Sequence, residues 1–209
     1  WSDAPTLHIF PHWNWEGMEG KNVPIHIYTN YDEVELFING ISQGKRRHAT
    51  GGDGNEAQIE RFRLIWKDTV YTPGEVLAVA YKDGKEAARA TLRTAGAPHR
   101  ILLSAYSDRI GTDGEAVNFI TASIVDKDGN LCPADSRMVN FSVKGAGKYR
   151  AAANGDATSL DLFHLPKMPA FSGQLTAIVQ SGEQAGEIVF EARAKGLKSG
   201  KLVLYTSEK

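Results

Sequence analysis

Residues 8–17 read HIFPHWNWEG and gather two tryptophans, two histidines, a phenylalanine and a proline into ten positions. Such a set is open to three uses. Tryptophans at i and i+2 of an extended segment project from one side, where flat ring faces can stack on sugars. His8 and His12 stand four apart, which is a metal-ligand spacing on a helix. Pro11 between them points instead to extended backbone and separates the imidazoles. Finally, a buried tryptophan removes a large apolar area from water and often anchors a core or an interface. His12, Trp13, Asn14 and Trp15 are therefore the candidate contact residues, for carbohydrate or for a neighbouring domain, and no residue is assigned to a metal.

The remaining chemistry-bearing groups read more plainly. DKDGN at 126–130 imitates the opening of a calcium loop, but the spacing to a bidentate glutamate is missing, so a turn is expected. A glycosidase needs two carboxylates at fixed separation, one with a raised pKa. Asp32, Glu33, Glu35, Glu60, Asp83 and Glu115 lie on polar strand faces or in turns, and nothing singles out a pair. No G-x-S-x-G elbow, phosphate loop or Cys–His constellation occurs. No catalytic residue and no cofactor are assigned. Asn154-Gly155-Asp156-Ala157-Thr158-Ser159 and the Asn30/Asp32 pair are polar groups suited to bracing local backbone. Cys132, the single cysteine, excludes an internal disulfide and sits in a turn-like NLCPAD as a small loop residue.

The elements that must carry these residues are strands. VPIHIYTN (23–30) alternates Val23, Ile25 and Ile27 against Pro24, His26 and Tyr28, and EVELFING (33–40) sets Val34, Leu36 and Ile38 against Glu33 and Glu35. Phe62, Leu64 and Trp66 share a face, as do Leu77, Val79 and Tyr81. Period-two alternation marks half-buried strands, and Asn39-Gly40, Asp83-Gly84 and Asp128-Gly129 are tight-turn dipeptides. No stretch has helical periodicity. A Gly-Ala-Pro break in TAGAPHR (94–100) divides the chain, giving an all-β protein of two tandem immunoglobulin-like sandwiches, 1–96 and 97–209. The stretch 151–172, with Pro166 and Pro169, is the irregular part of the second domain.

Bulk properties narrow the partners. The 209 residues carry a formal charge of −1, with 42% hydrophobic and 23% charged positions, an ordinary globular composition. There is no basic stripe for nucleic acid. Lys45-Arg46-Arg47-His48 beside GGDGN reads as a solvated loop. No apolar run approaches the roughly 18 residues of a membrane span. The opening WSDAPTLH has neither the charged nor the apolar region of a signal peptide, and a start without methionine is expected of an excised piece.

LHIFPHWNWEG followed by VPIHIYTNYDEVELFINGISQGK closely resembles the domain that follows the catalytic barrel in β-galactosidase-type enzymes of glycoside hydrolase family 2 from gut Bacteroidetes. The signature residues are Leu7, His8, Pro11, His12, Trp13, Asn14, Trp15, Val34, Glu35, Leu36, Phe37, Asn39 and Gly40. AVNFITASIVDKDGNLCPADSR, NGDATS and FSGQLTAIVQSGEQAGEIVFEARAKGL resemble the invasin-like domain that closes such enzymes; Cys132 departs from an expected aliphatic residue. The resemblance implies a retaining glycosidase whose two glutamates lie in an upstream barrel and match no position here. It also implies a periplasmic, cell-surface or secreted bacterial parent, with that barrel as partner and a homo-oligomer admitted. Three roles compete: a brace for the barrel, a carbohydrate-binding module stacking through Trp13, Trp15 and Trp66, and an adhesin-like surface pair.

Overall fold

The computed structural model describes residues 4–48 and 62–207; Trp1, GGDGN at 51–55 and Glu60 lie outside them. The chain divides into two compact units, Trp1–Thr94 and Ala95–Lys209. The described residues form sixteen strands and no helix, the all-β outcome that the alternation predicts.

Unit 1 comprises β1 (Leu7–Phe10), β2 (Ile25–Thr29), β3 (Glu33–Ile38), β4 (Ile41–Arg47), β5 (Arg63–Trp66), β6 (Glu75–Lys82) and β7 (Lys85–Arg93). They build two sheets, ordered β1-β2-β5 and β4-β3-β6-β7. The first sheet sends Ile9, Ile25, Ile27, Leu64 and Trp66 inward; the second sends Val34, Leu36, Ile38, Val76, Ala78 and Ala80, and one apolar cluster holds them all. This is a β-sandwich with one shared core.

Two strand readings need correction. Leu77, Val79 and Tyr81 do share a face, and Val79 is itself buried, but the cluster between the two sheets takes Val76, Ala78 and Ala80. The strand EVLAVAYK is apolar on both parities, so alternation alone leaves its inner face undecided. Phe62 precedes β5 in a turn and is exposed, whereas Leu64 and Trp66 are buried.

Turn chemistry fixes the hairpin registers. Asn39 and Gly40 have φ of 49° and 78°, and Asp83 and Gly84 have 52° and 74°, the paired positive values that suit the strand twist. Asn39 also ties the turn to β6: its Oδ1 accepts the Glu75 N–H at 2.7 Å and its Nδ2 donates to Pro73 O at 3.2 Å. Asn39→Ala is expected to lower unit 1 stability by about 1–2 kcal/mol, through left-handed strain and a lost acceptor. A urea melt followed by tryptophan fluorescence checks it, since all four tryptophans belong to this unit.

Unit 2 comprises β8 (Arg100–Ala105), β9 (Arg109–Gly111), β10 (Val117–Val125), β11 (Met138–Gly145), β12 (Gly147–Ala153), β13 (Lys167–Pro169), β14 (Gln174–Ser181), β15 (Gly186–Ala194) and β16 (Gly200–Ser207). Its sheets are ordered β12-β14-β10-β8 and β13-β11-β15-β16-β9, with β9 parallel to β16. Ile120, Ile124, Leu175 and Val179 of one sheet pack in one cluster with Val139, Phe141, Ile188 and Phe190 of the other. The β11–β12 turn is possible because residue 145 is glycine. Its φ is +91°, and a Cβ there would lie 2.1 Å from Glu187 O.

Candidate functional site

Sequence placed the candidate contacts on an extended segment; the structure does not extend it. After β1 the chain turns. Met18 N–H donates to Trp15 O, and Lys21 N–H to Met18 O, both at 2.9 Å. Gly20 N–H then donates to Tyr71 O, and Tyr71 N–H to Lys21 O. Trp13 and Trp15 therefore do not present two rings side by side.

Trp13 is a core residue, 1% exposed. Its indole N–H donates to Thr72 O at 2.9 Å, its ring meets Tyr71 edge-on at 5.0 Å, and its carbonyl accepts the Thr94 hydroxyl at 2.6 Å. It has no free face for a sugar or a neighbouring domain, which corrects its place among the contact residues. Trp15 is half-buried and lies on the exposed His12 imidazole, with centroids 4.6 Å apart and planes 27° apart. Its indole N–H donates to His12 O at 2.8 Å. Asn14, half-buried between them, donates its backbone N–H to His12 Nδ1 at 3.3 Å. That bond needs an unprotonated Nδ1, and partial desolvation of the ring lowers the His12 pKa, so neutral imidazole is favoured. His8 lies on β1 opposite Tyr28 of β2. Among the described residues, no group of three or more His, Cys, Asp or Glu side chains could hold a metal ion.

Among the described residues, Asp32, Glu33, Glu35, Glu75 and Glu86 act as braces. Glu33 binds Arg47 at 2.6 Å and Lys45 at 3.3 Å, and the Arg47 hydrogen bond leads in holding its pKa down. Glu35 accepts from the Ser42 hydroxyl at 2.7 Å, while Glu75 pairs with Arg93 and Glu86 with Arg89. A glycosidase acid needs the opposite shift. Asp32 accepts the Asp83 N–H, and Asn30 holds both Thr6 N–H and Ala4 O.

In unit 2 the polar motifs also hold backbone. Asp126 accepts from Asp128 N, Asn130 N and Gly96 N at 2.8–2.9 Å, and from Asn130 Nδ2 at 3.0 Å. Within NGDATS, Asn154 donates to Pro169 O, and Asp156 accepts from the Thr158 N–H and hydroxyl. Tyr149 donates its hydroxyl to Leu165 O at 2.6 Å; burial pushes its pKa up to about 12. Cys132 is buried, and burial pushes its thiol up to about 11, far from a reactive thiolate.

Sequence reasoning missed one surface. The outer face of the β1-β2-β5 sheet is a grid of two rows, His8–Tyr28–Arg63 and Phe10–His26–Ile65. Phe10 is 52% and Tyr28 36% exposed. Arg63 donates to the Tyr28 hydroxyl at 3.2 Å, and Phe10 meets the His26 ring edge-on at 6.2 Å. The signal lay in the outward parity of LHIF and IHIYT, which is aromatic where a solvated face would be charged.

Residues 101–203 match the family model described as glycoside hydrolase family 2 C-terminal domain 5, and residues 20–88 match a domain of unknown function, DUF4982. A β-galactosidase of Bacteroides ovatus is 34% identical over all 209 residues, which span 23% of that protein. A β-glucuronidase of Formosa agariphila is 24% identical over 98% of the chain and 20% of its own length. The crystal structure of a β-glycosidase from Bacteroides vulgatus superposes with a TM-score of 0.87 at 33% identity, over 98% of the chain and 25% of that protein. The chain thus spans about a quarter of the length of these relatives.

Proposed function

The chain belongs to the C-terminal region of glycoside hydrolase family 2, a non-catalytic accessory region, and from that premise we propose that its two sandwiches brace the catalytic part of a longer β-glycosidase. The observation that carries the reading is the full-length match to a protein four times longer, joined by Glu33, Glu75 and Glu86 in ion pairs and Asp32 and Asp126 on backbone donors. A fold of this kind takes its function from its context. The parent hydrolyses O-glycosidic bonds, with a β-galactoside as the first substrate to try, and works in the periplasm or at the cell surface of a Bacteroides-like bacterium. Carbohydrate enters through the catalytic part, and Trp15 on His12 contacts that part at the seam.

Removing this region from the parent enzyme tests the reading. Expected is a lower melting temperature and faster inactivation, with the KM for a nitrophenyl β-galactoside little changed. A truncated enzyme with unchanged stability that has lost polysaccharide binding would overturn it in favour of a binding module.

A further inference from the structure

The two outer faces of unit 1 differ in a way that core packing does not explain. On the β4-β3-β6-β7 sheet, Glu33 and Glu35 meet Lys45, Glu33 meets Arg47, Glu75 meets Arg93, and Lys45 lies over the Tyr81 ring at 3.9 Å. Its charges answer one another, as on a solvated face. The β1-β2-β5 face is the reverse. LHIF, IHIYT and RLIW contain no carboxylate. Among the described residues, Arg63 has only the neutral Tyr28 hydroxyl as hydrogen-bond partner, and His26 Nδ1 is shut from water without a partner. Phe10 and Tyr28 stand in water beside them. Aromatic and arginine side chains gathered around an incompletely paired polar centre are the composition of an interface core.

We propose that the His8–Tyr28–Arg63 and Phe10–His26–Ile65 grid is the docking face for the rest of the parent polypeptide, which meets it with an apolar surface carrying a carboxylate for Arg63. Two observations select this occupant. The grid offers positive charge with no carboxylate on its own strands, so a surface bringing a negative group is its electrostatic complement. Family relatives carry about three times as much chain beyond the matched region, so a permanent covering is available within one molecule. The inference rests on the bracing reading and names the surface through which bracing acts.

Hydroxyl-radical footprinting of the full-length parent is the test. Phe10 and Tyr28 are expected to oxidise at least about tenfold more slowly than in the unfolded parent, as groups sealed in an interface core do. In Arg63→Glu the protection should fall, while Arg93→Glu, on the other sheet, leaves it intact. Continued protection of Ile27 and Trp66 in both variants shows that the sandwich still folds. Phe10 labelling at about half the unfolded rate, as its 52% exposure dictates, would overturn the proposal. So would protection that appears only when an oligoglucuronate is added, because the occupant would then be a uronic-acid glycan. If deleting the region destabilises the parent while Phe10 and Tyr28 label freely, bracing stands and this face is not its surface. If deletion is harmless while the grid stays sealed, the docking face stands and the bracing role falls.

Discussion

Trp13→Ala is expected to cost unit 1 about 3–5 kcal/mol, the range for emptying a large aromatic site in a core. The cavity would open beside Tyr71, which meets the indole edge-on at 5.0 Å. A second loss adds to it, because Thr72 O gives up its indole donor and stays in a part-buried setting. Trp13→Phe keeps most of the apolar area and removes the N–H, so it should cost much less, about 1–2 kcal/mol. Urea melts read by fluorescence at tryptophan-selective excitation separate the two. An alanine variant with an unshifted midpoint would show that the ring anchors nothing.

Asp126→Ala should lower unit 2 stability by about 2–4 kcal/mol, since the carboxylate serves several backbone donors at once. Asp126 is 2% exposed and ties Gly96, near the start of the unit, to the turn that ends β10. Burial pushes its pKa up, but the Asn130 side chain and the Gly96, Asn130 and Asp128 N–H groups outweigh it and bring the value to about 2. The ordinary value is 3.8, so folding favours the ionised form. The stabilisation is complete above about pH 5, where the unfolded carboxyl is ionised as well, and is lost as the pH falls towards 2. Unit 2 of the native chain should therefore lose stability between about pH 5 and pH 2 more steeply than Asp126→Ala does, as calorimetric melts across that range can record.

Much of this architecture is legible in the sequence because its physics is local. β2 and β3 alternate cleanly, so Ile25, Ile27, Val34 and Leu36 point inward as their parity demands. Asn39-Gly40 and Asp83-Gly84 accept positive φ as few other pairs can. Where sequence reading falls short, two local signals compete. β6 is apolar on both sides, and small Ala78 and Ala80 win the interior. The Trp13/Trp15 pair depends on a backbone turn closed by Tyr71 and Lys21, some fifty residues apart, and periodicity carries no trace of such a contact. Of the four candidate contact residues, His12 is exposed, Asn14 and Trp15 are half-buried, and Trp13 is in the core. The outer grid of unit 1 escapes a residue-by-residue search because its six members come from three strands. It exists only once the register is known.

The lone thiol turns unit 2 into its own stopwatch. Cys132 is the chain's one cysteine and belongs to unit 2; it is buried near the Gly96 carbonyl, with Sγ 3.7 Å away. A disulfide reagent attacks only the thiolate, and the closed unit offers almost none. Modification must wait for an opening event, and its rate under native conditions counts those events directly. Unit 1 has no sulfhydryl to blur the reading, and its indoles supply an independent optical signal. One unmodified chain thus permits the breathing of each half to be timed separately.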